Sequence, residues 1–275
     1  SLKYGLRWLL RKFAISSNAY YNYLKHRKKD YEARKLNILK RIEEIYHQNH
    51  GNPGYRMMHD YLNLEGIYVS KPTVYRYMKE LGIEAIINKK KPLYIKGKAH
   101  KIFGNIINRN FNVDEPNKIW CTDFTYLPMS NGKMRYNCTI IDLYNREVIA
   151  TLNSNHITAR LAVDTLKIAM KRRGNFRNVI LHSDQGSQYT SKEFIDFCCK
   201  NNIKQSMSRA GCPYDNAVIE RFYNTFKNEF FNLYSFNDYE VLDKKTYEFI
   251  YIKYNYLRPH SFNNGIPPAL SKWSA

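Results

Sequence analysis

Apolar residues in the first third of the chain recur at three and four residues, the period of one buried helix face. Residues 2–13 and 18–27 read as short helices joined at Ser16 and Ser17, whose hydroxyls suit a helix start. After Asp30 a longer segment follows, with Leu36, Leu39, Ile42, Ile45 and Tyr46 predicted on its inner face. His50-Gly51-Asn52-Pro53-Gly54 then breaks the helix. Two compact units come next. Tyr55–Leu64 ends at Gly66, and Ser70-Lys71-Pro72 opens a second helix that runs to Leu81 and stops at Gly82. A helix, a short connection and a second helix bearing Lys71, Thr73, Arg76 and Lys79 has the outline of a helix-turn-helix reader. A helical hairpin with a solvated basic surface fits the same residues.

From about residue 118 the period changes. Strand patterns cover 118–127, 133–142, 147–152 and 179–181, interleaved with helical patterns at about 158–173 and 191–201. Three successive strands followed by helix, strand and helix predict an α/β fold, a mixed sheet with flanking helices. Residues 216–256 read as two further helices. The predicted organisation is N-terminal helices (1–50), a helix-turn-helix-like region (51–84), a basic linker (85–111) and a mixed α/β unit (112–275). The linker carries Lys89, Lys90 and Lys91, able to follow a phosphate backbone in any sequence.

Charge narrows the partner. The 275 residues include 44 Lys and Arg against 24 Asp and Glu, a net +20, so a polyanion is expected. Residues 1–100 hold 21 of the basic and 8 of the acidic residues. A biased genome explains abundant lysine, but not the low acidic count beside it. The longest apolar runs, such as Val179-Ile180-Leu181, fall far short of the roughly 20 residues that span a bilayer. No membrane partner is expected. The 5 cysteines form no C-x-x-C pair, and His47 and His50 have no Cys pair after them, so a reducing cytoplasm is predicted and a zinc site is not.

Three acidic residues stand out by their surroundings. Asp123 lies inside Trp120-Cys121-Thr122-Asp123-Phe124-Thr125, a stretch with strand preference where aspartate is depleted. It sits either at a functional site or on an exposed edge. Asp184 follows the apolar strand at 179–181 directly, in His182-Ser183-Asp184-Gln185-Gly186, where open α/β sheets place ligands. An ordinary Asx turn fits as well. Glu220 belongs to a helical pattern that lines up Asn216, Glu220, Asn224 and Lys227 opposite Ile219, Phe222, Phe226 and Phe230. A solvated face is the plain reading there. Against it stands the spacing, 35 residues between Asp184 and Glu220.

Taken in order, Trp120-x-x-Asp123, His182-Ser183-Asp184-x-Gly186, Asp215-Asn216-x-x-x-Glu220-Arg221 and Lys227 resemble the D,D-35-E core of retroviral-integrase-like transposases. More closely, the chain resembles the OrfB product of the IS-three family of bacterial insertion sequences. Gly54-Tyr55-Arg56, Tyr256-Leu257-Arg258-Pro259-His260, Gly265 and Pro267-Pro268 match that layout too. The resemblance implies an RNase H-like fold for 112–275 and an enzyme that cuts and joins the ends of a mobile element in bacterial cytoplasm. It also implies Asp123, Asp184 and Glu220 as catalytic metal ligands for Mg²⁺, with Mn²⁺ expected to substitute and two ions expected once DNA is bound. Lys227, Arg221 and Asn224 are expected to contact DNA, as are Lys71, Arg76, Lys79, Lys89, Lys90 and Lys91. His182 and Asn216 are expected behind the metal ligands. The alternative is a basic DNA-binding or regulatory protein without catalysis.

Partners implied by the resemblance are double-stranded DNA, as element ends and as target, and further copies of the chain bound on it. The chain starts at Ser1, and the resemblance implies an upstream OrfA-type segment, joined as a fusion, that reads the ends. Charge alone makes one prediction. Duplex affinity falls steeply with salt, with log affinity changing by about −0.9 per log unit of salt for each phosphate neutralised. Removing residues 1–100 lowers that slope in a salt titration followed by fluorescence anisotropy.

Overall fold

The computed structural model describes residues 5–86, 102–174 and 176–271. The chain divides into two compact units, Ser1–Ile86 and Ile87–Ala275. In the first, α1 (Leu6–Lys12), α2 (Ser17–Leu24), α3 (Arg27–Gln48), α4 (Tyr55–Leu64) and α5 (Lys71–Glu80) follow one another. Ile42, Met58, Leu62 and Val74 are fully buried where α3, α4 and α5 meet.

Local signals account for most of these boundaries. Ser16 accepts the amide of Ala19 at 3.1 Å and starts α2. Gly66 and Gly82 adopt φ of +76° and +67° where the chain leaves α4 and α5, a conformation that costs glycine nothing. Ser70 occupies the start of α5, but its hydroxyl pairs with that of Thr73 at 2.9 Å instead of with a backbone amide.

Two details differ from the sequence pattern. The third helix starts at Arg27, after His26 turns left-handed at φ 50°, and Asp30 lies inside its first turn, where a carboxylate favours the amide end of the helix. Leu36 is 67% exposed, and the buried stripe runs through Ile38, Ile42 and Ile45. At 3.6 residues per turn Leu36 sits about 120° from Ile42, outside the inner face.

The second unit is built on a five-stranded sheet of β1 (Ile119–Pro128), β2 (Met134–Asp142), β3 (Val148–Ser154), β4 (Ile180–Ser183) and β5 (Lys204–Met207), in the order β3-β2-β1-β4-β5. β1 pairs antiparallel with β2 and β2 with β3, whereas β4 is parallel to both β1 and β5. Strand alternation separates two cores. Trp120, Ile140 and Leu181 pack with α6 (Ala159–Arg173) and α7 (Lys192–Lys200) on one face. Cys121, Ile141 and Val148 pack on the other with α8 (Ala217–Glu229), α9 (Tyr239–Tyr247) and the π-helical turn Glu248–Leu257 that prolongs it. This is the mixed α/β, RNase H-like architecture.

Part of the stretch expected as a linker is packed. Lys89, Lys90 and Lys91 lie outside the described residues, but Ile107 is buried in the α8 core. Nearby, Asn105 and Arg109 reach Asp215 at 2.9 and 2.6 Å. Phe103 and Phe111 also pack against the two cores, apolar anchors that the many lysines of the stretch obscure.

Asn255 closes the edge strand. It is fully buried, and its amide group exchanges both hydrogen bonds with the backbone of Val148, Val148 N–H donating to Oδ1 at 3.0 Å and Nδ2 donating to Val148 O at 2.9 Å. Asn255→Ala leaves two buried backbone groups without partners. We predict a loss of about 3 kcal/mol and a Tm lower by roughly 6–12 °C, measured by calorimetry.

Candidate active site

Asp123 projects from the middle of β1 opposite Thr139 of β2. It shares a face with buried Cys121 and Thr125 and is itself half-buried. The backbone amide of Phe124 donates to its Oδ1 at 2.7 Å. Asp184 stands one residue beyond β4, the strand parallel to β1, and is exposed. Its Oδ1 accepts the amide of Gly186 at 2.9 Å, closing an Asx-type turn. A Cβ at Gly186 would lie 2.9 Å from that same oxygen, so a side chain there would push the carboxylate from its position. Glu220 is exposed in the first turn of α8.

Electrostatics show that these three share one region. Burial first, then the charge of Asp184, hold Asp123 well above the ordinary carboxylate range, and Glu220 adds to the rise. Glu220 is raised by burial and then by Asp184. Lys227, two turns along α8, is lowered by burial and drawn back up by Asp123. Thus three acids, one from the middle of β1, one just past the end of β4 and one from the first turn of α8, repel one another, with one half-buried lysine bearing on Asp123.

The flanking residues are fixed by hydrogen bonds. His182 is fully buried on β4. Its Nε2 lies 2.9 Å from the carbonyl of Asp215 and its Nδ1 lies 2.9 Å from the hydroxyl of Ser206. A carbonyl only accepts, so Nε2 carries the proton and Nδ1 accepts from Ser206. Burial lowers the ring's pKa, in keeping with this neutral form. Asp215, also buried, accepts from Arg109, Asn105 and the amide of Arg209, and Arg109 leads the causes that hold it below the ordinary range. This cluster fixes the entry to α8, one turn ahead of Glu220.

Not every expected residue joins the acids. Asn216 precedes α8 in a 3₁₀ turn and is buried, not part of an exposed stripe, because the backbone there has not yet become helical. Its Oδ1 has no hydrogen-bond partner among the described residues. Arg221 is exposed, and its charge bears on His260 and Tyr254. Asn224 is exposed and accepts from Asn228 at 2.8 Å. Lys71, Arg76 and Lys79 all lie on the exposed side of α5. One contributor had no sequence signal. The hydroxyl of Tyr223 donates to the backbone carbonyl of Asp123 at 2.7 Å, a role no pattern distinguishes from an aromatic core position.

Do these residues suit a divalent metal? Among the described residues no group of three or more His, Cys, Asp or Glu is placed so that it could hold a metal ion as the side chains stand. The donor set still fits a hard cation. It offers carboxylate oxygens that raise one another's proton affinity, the oxygen ligands such an ion prefers.

A five-stranded mixed sheet of this order, with helices on both faces and an acidic cluster at β1, β4 and α8, defines an integrase-type core of the polynucleotidyl transferase class. Family comparisons agree. Residues 113–213 and 201–268 each match an Integrase core domain, and residues 33–91 match an HTH-like domain. The chain is 35% identical over 247 residues to the putative transposase InsK of IS150 from Escherichia coli, covering 90% of this chain and 86% of that protein. It is 33% identical over 222 residues to the transposase InsF of IS3A from the same species, covering 80% of this chain and 76% of that protein. A solved structure of the HTLV-2 integrase catalytic core domain in complex with magnesium is similar at 19% identity and a TM-score of 0.43, covering 55% of this chain and 93% of that one. The chain belongs to the IS3 family of insertion-sequence transposases. Among the described residues no helix is long and apolar enough to cross a membrane.

The raised carboxylates carry a stability signature. A group whose folded pKa lies above its unfolded value contributes stability that is complete below the unfolded value and is lost as pH rises through the folded one. For Asp123 the decline starts near its ordinary 3.8. In chelator at pH 7, Asp123→Asn therefore melts higher than the wild type, by roughly 2–4 °C if about 1 kcal/mol of strain is relieved. The difference closes below pH 4, and thermal melts across pH 3–8 follow it.

Proposed function

We propose that this transposase cleaves and joins DNA strands at the ends of its mobile element, with Asp123, Asp184 and Glu220 as the catalytic residues. The observation that carries the reading is that three acids from three separate elements converge in a chain of net charge +20. Asp184 disfavours the ionisation of both Asp123 and Glu220, so the three act on one another.

Asp123, Asp184 and Glu220 would hold Mg²⁺, with Mn²⁺ as a substitute and two ions once DNA is bound. When bound, divalent ions activate an attacking oxygen and steady a leaving one. The chain's residues supply the rest. The buried sheet keeps Asp123 rigid, the Gly186 turn aims Asp184, and the Asp215 cluster sets the start of α8 and with it Glu220. Lys227 offers one positive charge next to Asp123, suited to a phosphate of the bound strand. In the reaction, the oxygen of water or of a 3′-hydroxyl bonds to phosphorus as the bond to the departing 3′ oxygen breaks. The attacking oxygen loses a proton and the departing one gains one.

DNA recognition is assigned to separate surfaces. Lys71, Arg76 and Lys79 on α5 face solvent from the HTH-like region and would contact duplex. Lys89, Lys90 and Lys91 would add contacts to phosphate, and so would Arg221 and Asn224. Such contacts position a protein more than they select sequence, so end selection would fall to an upstream segment in a fusion, and two ends would need more than one copy of the chain.

The test is a Mg²⁺ titration on a labelled element-end duplex. We expect cleavage and strand transfer that stop in excess chelator. Asp123→Asn, Asp184→Asn and Glu220→Gln each lower the rate by about 10³-fold, the upper end of what one electrostatic contact to a transition state supplies, without loss of DNA binding. Wild-type rates in any one of the three, or activity indifferent to chelator, overturn the assignment and leave a DNA-binding protein.

A further inference from the structure

We infer that Tyr223 is a positioning residue, whose hydroxyl holds the helix bearing Glu220 at a fixed distance from the strand bearing Asp123. This rests on the triad reading above. Tyr223 lies three residues after Glu220, nearly one turn further along α8, and is 6% exposed. Its hydroxyl sits 2.7 Å from the carbonyl oxygen of Asp123 and 3.3 Å from that of Asn137. A phenol has one proton to give, and the shorter contact places it on Asp123. Asn137 belongs to β2, two residues from Thr139, the cross-strand partner of Asp123. One hydroxyl therefore joins α8 to β1 at the level of the first acid, with a carbonyl of β2 3.3 Å away.

Packing alone would not do this. The ring contacts of Tyr223 with Phe222 and Phe226, centroids 5.3 and 6.5 Å apart, lie within α8 itself, and apolar burial of a helix face tolerates sliding along the sheet that a buried hydrogen bond does not. The acids push in the opposite direction, since Asp184 and Glu220 both disfavour the charge on Asp123. A helix free to drift would widen the gap and loosen any cation site between them.

The experiment measures metal binding directly. Wild type, Tyr223→Phe and Phe222→Leu are stripped of metal and titrated with Mn²⁺, and free ion is read by its electron paramagnetic resonance signal; melting curves run in parallel. Phe222→Leu disturbs the same core without touching the hydroxyl. We expect Tyr223→Phe to raise the Mn²⁺ dissociation constant about 10-fold, as supporting contacts behind metal ligands do, while Phe222→Leu leaves it within twofold despite an equal or larger fall in Tm. Equal rises in both variants, or no rise in Tyr223→Phe, overturn the inference. So does a Tyr223→Phe chain without native circular dichroism, because a hydroxyl required for folding is structural. Asp123→Asn is the accompanying control. If it binds Mn²⁺ like wild type, the triad reading has failed; if it loses binding while Tyr223→Phe does not, only the role of Tyr223 has.

Discussion

Like-charge repulsion is the constraint around which the larger unit is arranged. Asp123, Asp184 and Glu220 come from a strand centre, a strand end and a helix start, and each disfavours ionisation of another. Lys227, the cation that bears on Asp123, is itself half-buried and lowered. The arrangement persists because the surrounding core is stiffer than the repulsion is strong. α8 is anchored by Ile219, Phe222, Phe226 and Phe230 in one aromatic cluster with Phe249 and Tyr254. Burying such rings contributes on the order of 1.5–3 kcal/mol each, more than the acids lose by proximity.

Hydrophobic burial fixes which face of α8 points inward, but it does not fix where along the sheet the helix stops. Polar contacts do that. Upstream, buried Asp215 gathers Arg109, Asn105 and the amide of Arg209, and its carbonyl receives the proton of His182. His182 is a residue of β4, two positions before Asp184. The start of the Glu220 helix and the strand that delivers Asp184 are thus joined through one imidazole, held neutral by burial. The segment around Ile107, which precedes β1, is bound into the same cluster through Ser206 and Asp215.

How much of this could be read in the sequence follows from what each feature depends on. β1 and α8 were legible because strand alternation at Trp120 and Cys121 and the 219, 222, 226, 230 spacing are local patterns imposed by a continuous core. The position of Asp184 was legible because an apolar strand runs straight into a glycine turn. Helical spacing carries Asn216 onto the polar stripe of α8 on paper, whereas the turn there is 3₁₀ in space and Asn216 is buried. Leu36 was misplaced for a related reason, as a run of threes and fours drifts around a helix unless it is anchored at a fixed face. The packed part of the 85–111 stretch and the hydroxyl of Tyr223 depend on contacts with residues about 100 positions away. No local pattern records those.

Charge gives the acidic cluster its meaning. A phosphodiester carries negative charge, and a site made of three carboxylates should repel it, whatever the +20 of the whole chain does at longer range. Screening limits that long-range attraction to about 8 Å at physiological ionic strength, so basic residues elsewhere bring a duplex to the surface without delivering a phosphate to Asp123. Two features close by reconcile the signs. Lys227 supplies one fixed positive charge at the edge of the cluster, and the repulsion among the acids makes the site a strong acceptor of further positive charge. A divalent cation held by the three acids, as proposed above, would relieve that repulsion and turn the local field from repelling a phosphate to attracting one. Substrate and cation would then favour each other's binding, because each neutralises charge the other needs neutralised.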